Sequence, residues 1–166
     1  RYALKWFNRI SEKDITKTDL PQYFFNKGYT LFSAKKYNQA RNLLEKVKDN
    51  KNYESDAHYY LGHISYQLDD YDGALNSFQS ISDTNKKNDL LYFQADMNFR
   101  IGRFEKAIEL AKRVLKMNNK NVKSELSKII GESYFNLNNY KEATPYLESY
   151  EGKDGTWENT DYYQLG

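Results

Sequence analysis

The chain of 166 residues holds few side chains that could do covalent chemistry. Its two histidines, His58 and His63, stand five positions apart. On one helix they point in different directions, and the i, i+4 spacing that lets two imidazoles share a zinc ion is not met. There is no cysteine, so no soft ligand completes a metal site, and disulfides and cysteine nucleophiles are excluded together. Asp69-Asp70 and Asp154 could act as acids or bases, but Asp in a polar turn more commonly accepts from free backbone N–H groups. Gly152-Lys153-Asp154-Gly155 is glycine-rich yet lacks the G-x-x-x-x-G-K-[ST] order that cradles phosphates after a strand. It reads as a loop between helices. No G-x-S-x-G elbow is present. These residues predict no catalytic, cofactor-binding or metal site.

Charge is balanced, with 25 Lys and Arg against 23 Asp and Glu. That gives no electrostatic footprint for nucleic acid or an anionic membrane. One basic stretch stands out: Lys112, Arg113, Lys116, Lys120, Lys123 and Lys128. Cations near a helix C-terminus complement the macrodipole, which accounts for it without a nucleic-acid face. No apolar run approaches the length of a membrane span, and no signal peptide is recognisable. A cysteine-free chain suits cytosol and periplasm equally. Sixteen Tyr and nine Phe supply large apolar surfaces for a core.

The elements that must position these residues repeat along the chain. Gly28, Gly62, Ala95 and Gly131 are each followed twelve positions later by an alanine: Ala40, Ala74, Ala107 and Ala143. The alanines recur at intervals of 34, 33 and 36. An aromatic (Tyr37, Tyr71, Phe104, Tyr140) stands three residues ahead of each. Polar turns precede it at Ala34-Lys35-Lys36, Asp69-Asp70, Gly102-Arg103 and Asn138-Asn139. Ala74, Phe78 and Ile81 fall at i, i+4 and i+7, one face of an amphipathic helix. Ala40, Leu44 and Val47 repeat the pattern, as do Ala107, Ala111 and Val114, and Ala143, Leu147 and Tyr150. A period near 34 with this internal spacing marks stacked helix–turn–helix units.

These residues resemble the tetratricopeptide repeat family. Tyr60-Leu61-Gly62, Tyr71, Ala74 and Phe78 follow its pattern closely, and Ile130-Gly131, Tyr134, Tyr140, Ala143 and Leu147 repeat it. The resemblance implies an all-α fold, a right-handed superhelical solenoid of antiparallel helix pairs. It divides the chain into repeats at 21–54, 55–87, 88–123 and 124–150. Residues 1–20 form the end of a preceding repeat plus a linker, and 151–166 a loop and the start of a further one. Asn52 and Asn119 stand where the family closes a unit with proline. Gln94 replaces the leucine before the small residue in the third unit. Pro145 sits inside the last second helix, where its missing N–H predicts a kinked or shortened helix. Ala3 to Ile10 aligns with a second helix and Tyr162 to Gly166 with a first one. The expectation is a piece of a longer array, whose uncovered ends (Trp6, Phe7 and Ile10 at one of them) could associate end to end. The Tyr-, Asn- and Lys-rich style is similar to repeat proteins of Bacteroidetes-type bacteria, which favours the periplasm or cell envelope.

In this family the first helix of each pair lines a concave face. With the small residue as origin, helical geometry puts the places of Tyr59, His63 and Tyr66 at about 60°, 100° and 40° on a second face. Along the array this face reads Phe25, Tyr29 and Phe32, then Tyr59, His63 and Tyr66. Tyr92, Asp96 and Phe99 follow, then Lys128, Glu132 and Phe135. One turn earlier lie Gln22, Asp56, Asp89 and Glu125. The face is aromatic in its first half and acidic in its second. The cation pairs with which some members clamp a C-terminal carboxylate are not recognisable; only Lys128 and Arg100 point that way, among acids. The resemblance implies a non-catalytic protein-interaction scaffold that binds a protein or peptide in this groove. The rival readings are an architectural or self-assembly spacer, an α/α-toroid enzyme, which would need facing carboxylates, and an RNA-binding helical repeat.

Overall fold

A computed structural model describes residues 2–7, 9–117, 123–152 and 156–165. No strand occurs among the described residues. The chain forms two compact units, Arg1–Lys87 and Asn88–Gly166. The first holds α1 (Tyr2–Phe7), α2 (Leu20–Ser33), α3 (Tyr37–Leu44), α4 (Glu54–Gln67) and α5 (Tyr71–Gln79). A short helix, α6 (Thr84–Asp89), lies across the division. The second holds α7 (Leu91–Arg100), α8 (Phe104–Lys116), α9 (Lys123–Asn136), α10 (Tyr140–Glu148) and α11 (Asn159–Leu165). Four helical hairpins result: α2 with α3, α4 with α5, α7 with α8, and α9 with α10. Within the units α3 packs on α4 and α8 on α9.

The small residues are small because the helices of each hairpin meet there. A Cβ on Gly28 would come within 2.9 Å of Leu44 Cγ, and one on Gly131 within 2.7 Å of Leu147 Cδ2. On Gly62 it would run into the ring of Phe78. Ala40, Ala74, Ala107 and Ala143 are fully buried. In the third hairpin both partners are small: Ala95 stands at the glycine place and Ala111 at the place of Leu44, Phe78 and Leu147. The core of the first unit gathers Leu31, Leu43, Leu44, Leu61 and Ile64, and that of the second Leu91, Ile108, Val114, Leu126 and Ile130.

All four hairpin turns are one structure. Lys35, Asp69, Gly102 and Asn138 have φ of 57°, 58°, 76° and 60°, the left-handed region. The next residue returns its N–H to a carbonyl five positions back: Lys36 to Leu31 at 2.9 Å, Asp70 to Ser65 at 2.9 Å, Arg103 to Asn98 at 2.8 Å and Asn139 to Tyr134 at 2.9 Å. This is a Schellman closure, which satisfies carbonyls that the ending helix leaves bare. Only one of the four uses glycine; the others hold ordinary side chains in a conformation that disfavours them.

The helices depart from the periodic expectation in three places. The second helices other than α8 end early: α3 stops at Leu44, α5 at Gln79 and α10 at Glu148, yet Val47, Ile81 and Tyr150 beyond them are buried. The first helix of the third hairpin is divided at Leu90, so α7 has 10 residues where α2, α4 and α9 have 14. Asp89 therefore sits on α6 rather than one turn before Tyr92 on the same helix. Pro145 does not shorten α10, which has nine residues like α5. Pro145 is exposed, so water can take the Lys141 carbonyl that it leaves without a donor.

At the N-terminal end, Phe7 packs edge-on against Tyr23 at 5.8 Å, while Trp6 is 70% exposed. The basic stretch is dispersed. Lys112 Nζ donates to Tyr134 Oη at 2.7 Å and lies over the rings of Tyr134 and Tyr146, whereas Lys128 faces carboxylates. Asn119, Lys120, Gly166 and the loop at Lys153, Asp154 and Gly155 lie outside the described residues.

Candidate interaction surfaces

In the first unit the aromatic face is built on α2 and α4. Phe25, Tyr29 and Phe32 fall at i, i+4 and i+7, so α2 presents them on one side. They converge on a ring absent from the sequence-based set, Tyr60 of α4, at centroid distances of 6.1, 5.2 and 5.1 Å. Tyr53 stacks on Phe25 at 4.9 Å. Tyr59 meets Tyr60 edge-on at 5.3 Å and His63 at 4.5 Å; His63 in turn meets Phe78 at 5.3 Å. Tyr66 stands apart from this group, edge-on to Tyr71 at 5.9 Å. Tyr29 is 46% exposed and the other rings of the set are half-buried. The face is thus partly packing and partly open. Aromatic pairs of this kind hold their rings in fixed places, which pre-orders any surface they present.

Burial sets the electrostatics of this face. It raises the Tyr60 hydroxyl above its ordinary value, with Tyr29, Asp56 and Tyr59 adding to the effect. It lowers the His63 imidazole, so that ring is neutral near pH 7 and serves as an aromatic body, not a cation.

In the second unit α7 and α9 enclose a cavity of about 230 Å³. Tyr92, Asp96 and Phe99 come to it from α7, and Lys128 and Glu132 from α9. The structure therefore brings together five residues of the sequence-based set. Arg100, Glu125, Ile129 and Tyr150 complete the wall. Phe135 lies outside it, edge-on to Tyr140 at 5.2 Å.

Two ion-pair systems organise the walls. Asp96 is buried and accepts from Arg100 Nε at 2.8 Å, one helical turn along α7. Lys128 Nζ donates to Asp161 Oδ1 at 2.9 Å, stands 3.7 Å from Glu132 Oε1 and lies 4.7 Å over the Tyr150 ring. Asp161 belongs to α11, is 5% exposed, and also accepts from the backbone N–H of Glu158 at 2.8 Å. Its part was not legible beforehand, since nothing in the pattern sets α11 against α9. Both cations on this side, Arg100 and Lys128, are thus engaged by neighbouring carboxylates.

Acidic groups outnumber cations in the wall, Asp96, Glu125 and Glu132 against Arg100 and Lys128. Burial raises the Glu132 carboxyl, Lys128 opposes this, and the charge of Asp161 adds to it. Burial also raises the Tyr92 hydroxyl, with Asp96 and Glu125 adding. For Lys128, burial pulls downward, but its hydrogen bond to Asp161 and the charges of Glu132, Tyr150 and Asp161 outweigh it and keep the ammonium charged. No group of three or more His, Cys, Asp or Glu among the described residues could hold a metal ion. No helix there is long and apolar enough to cross a membrane. The walls carry ring faces, carboxylates and a tyrosine hydroxyl around this space.

A tetratricopeptide repeat profile matches residues 66–122 and 94–156, together more than half of the chain. A profile for subunit 3 of the anaphase-promoting complex, or cyclosome, matches residues 1–81. No curated protein matches. Among solved structures, a crystal structure of the MamA protein aligns with a TM-score of 0.71 at 20% identity, covering 90% of this chain and 79% of that one. A second MamA crystal structure gives 0.70 at 20% identity, covering 92% and 86%. A double mutant of MamA from RS-1 gives 0.70 at 14% identity, covering 89% and 82%. At such identities the likeness is one of fold. With its four hairpins, their shared turns and more than half of its length matched, the chain belongs to the tetratricopeptide repeat family.

Proposed function

We propose that this protein is a non-catalytic scaffold that holds a segment of a partner protein against its first helices. The observation that carries the reading is the cavity between α7 and α9, walled by Tyr92, Asp96, Phe99, Lys128 and Glu132. Those five residues come from the face that the family resemblance implies for the concave side. The aromatic face of α2 and α4 in the first unit supports it, with Tyr29 open to solvent. Buried or half-buried tyrosines with a polar tip are the usual anchors of protein interfaces.

The test is selection of binding segments from a random peptide display on the intact protein, followed by affinity measurement on Tyr29→Ala and Tyr92→Ala. A hot-spot role predicts a loss of more than about 1 kcal/mol in at least one variant. Selected peptides that ignore both changes would place binding elsewhere. If no peptide is selected and mass in solution grows with concentration, the chain is instead a self-assembly spacer.

A further inference from the structure

We propose that the cavity between α7 and α9 is a receptor for one arginine side chain of the bound segment, and that Arg100 occupies its carboxylate until the partner arrives. The inference rests on the scaffold reading above and names the chemistry of one of its contacts.

The size comes first. A space of about 230 Å³ is below the range that encloses a drug-sized ligand and suits a single long side chain. The walls then select the head group. Tyr92, Phe99 and Tyr150 offer ring surface, on which a planar guanidinium stacks better than a compact ammonium. Tyr150 already carries a cation over its ring at 4.7 Å, the Lys128 ammonium, which leaves Tyr92 and Phe99 as the ring surfaces for a guest.

The balance of charge gives the sign. Four carboxylates, Asp96, Glu125 and Glu132 in the wall and Asp161 behind Lys128, face two cations, Arg100 and Lys128. Lys128 is fixed between α9 and α11 by Asp161, which is 5% exposed. Arg100 is the more exposed of the two. Its side chain is 48% exposed while that of its partner Asp96, one helical turn back on α7, is 11% exposed. A visiting guanidinium can replace it there by forked hydrogen bonds and release Arg100 to water.

The experiment is a titration of the isotope-labelled protein, followed by backbone amide shifts. Four peptides serve as probes: acetyl-Gly-Ser-Xaa-Ser-Gly-amide with Xaa as arginine, lysine, norleucine or glutamate. The arginine peptide is expected to shift amides of α7 and α9 and to bind about fivefold or more tighter than the norleucine peptide. Asp96→Asn should weaken the arginine peptide. Glu125→Gln should do so too, and this exposed position keeps the test open if Asp96→Asn disturbs the fold. Arg100→Met removes the resident competitor and should tighten the arginine peptide. Unchanged or weaker binding to Arg100→Met overturns the competition. Equal shifts from the arginine, norleucine and glutamate peptides overturn the arginine receptor, yet leave the scaffold reading standing because a segment still binds. Silence from all four peptides overturns the receptor as well, while the selected segments of the previous test decide the scaffold on their own.

Discussion

The ring of Phe78 fills the space that any side chain on Gly62 would need. Phe78 is fully buried, and it lies four residues after Ala74 on α5, so it cannot retreat without opening the core of the hairpin. Gly62→Ala should therefore overpack this crossing and cost roughly 1–3 kcal/mol, with Gly62→Leu worse. Thermal or denaturant unfolding reads it directly. Combining Gly62→Ala with Phe78→Ala should cost less than the two changes summed, since the second makes room for the first. The third hairpin already carries that solution, with Ala95 and Ala111 at the two places. Additive costs would mean that the two residues do not compete for space.

The turns give a second prediction, of opposite sign. Lys35 holds a left-handed φ of 57° with an exposed side chain and no turn hydrogen bond from that side chain among those seen. Lys35→Gly should stabilise the first unit by roughly 0.5–1 kcal/mol by lifting the steric cost. Gly102→Ala, at φ 76° in the matching turn, should destabilise by a similar amount. Asp69 and Asn138 should respond less to glycine. Their side chains accept from Tyr71 Oη at 2.6 Å and Tyr140 Oη at 2.9 Å, bonds that glycine would remove. A melting temperature unmoved by both Lys35→Gly and Gly102→Ala would show that the turns are not under this constraint.

These two relationships mark what the sequence could and could not disclose. The recurring small residue and alanine state directly that two helices meet closely, because that need removes side-chain volume at fixed intervals. The turns were visible only as polar breaks. The left-handed position falls on Lys, Asp, Gly and Asn in turn, so residue type alone does not mark it. Most of the cavity wall was legible from helical periodicity, since α7 and α9 each present their residues one turn apart. Tyr60 and Asp161 were not. Each acts across helices, Tyr60 on rings of α2 and Asp161 on Lys128 of α9, and periodicity within one helix carries no information about its neighbour. The division at Leu90 was hidden for a related reason: the residues on either side of it continue an acceptable helical pattern.

Two titrations should give the protein's stability opposite responses to pH. Burial holds the His63 imidazole below its ordinary 6.5, so the unfolded chain binds the proton more readily. Stability from this group is fully present above pH 6.5 and is lost as pH falls through the folded value. Burial holds Glu132 above 4.5, so its contribution is fully present below 4.5 and is lost as pH rises through the folded value. Unfolding of His63→Phe across this range should lose the acid-side decline. Glu132→Gln should raise the melting temperature at neutral pH and leave it unchanged in strong acid. A wild-type decline that persists in His63→Phe would assign it to another group.

The last prediction concerns Asp161, which does two things at once. One oxygen accepts from Lys128 and the other from the Glu158 N–H, so the same carboxylate joins α11 to α9 and closes the start of α11. Asp161→Asn keeps an acceptor for the backbone N–H but removes the charge; Asp161→Ala removes both. Hydrogen exchange should therefore grade the two roles. In Asp161→Ala the amides of residues 159–165 should exchange fastest, and in Asp161→Asn at an intermediate rate. The amides of α9 between Leu126 and Ser133, a stretch anchored by the buried Leu126, Ile130 and Ser133, should stay protected in both. Glu132 provides a second readout. Without the charge of Asp161 beside it, and with Lys128 free to turn to it, its carboxyl should titrate at lower pH than in the parent protein. Loss of protection in α9 along with α11 would instead make the ion pair a support of the whole unit. An unmoved Glu132 would show that Lys128 stays where Asp161 had placed it.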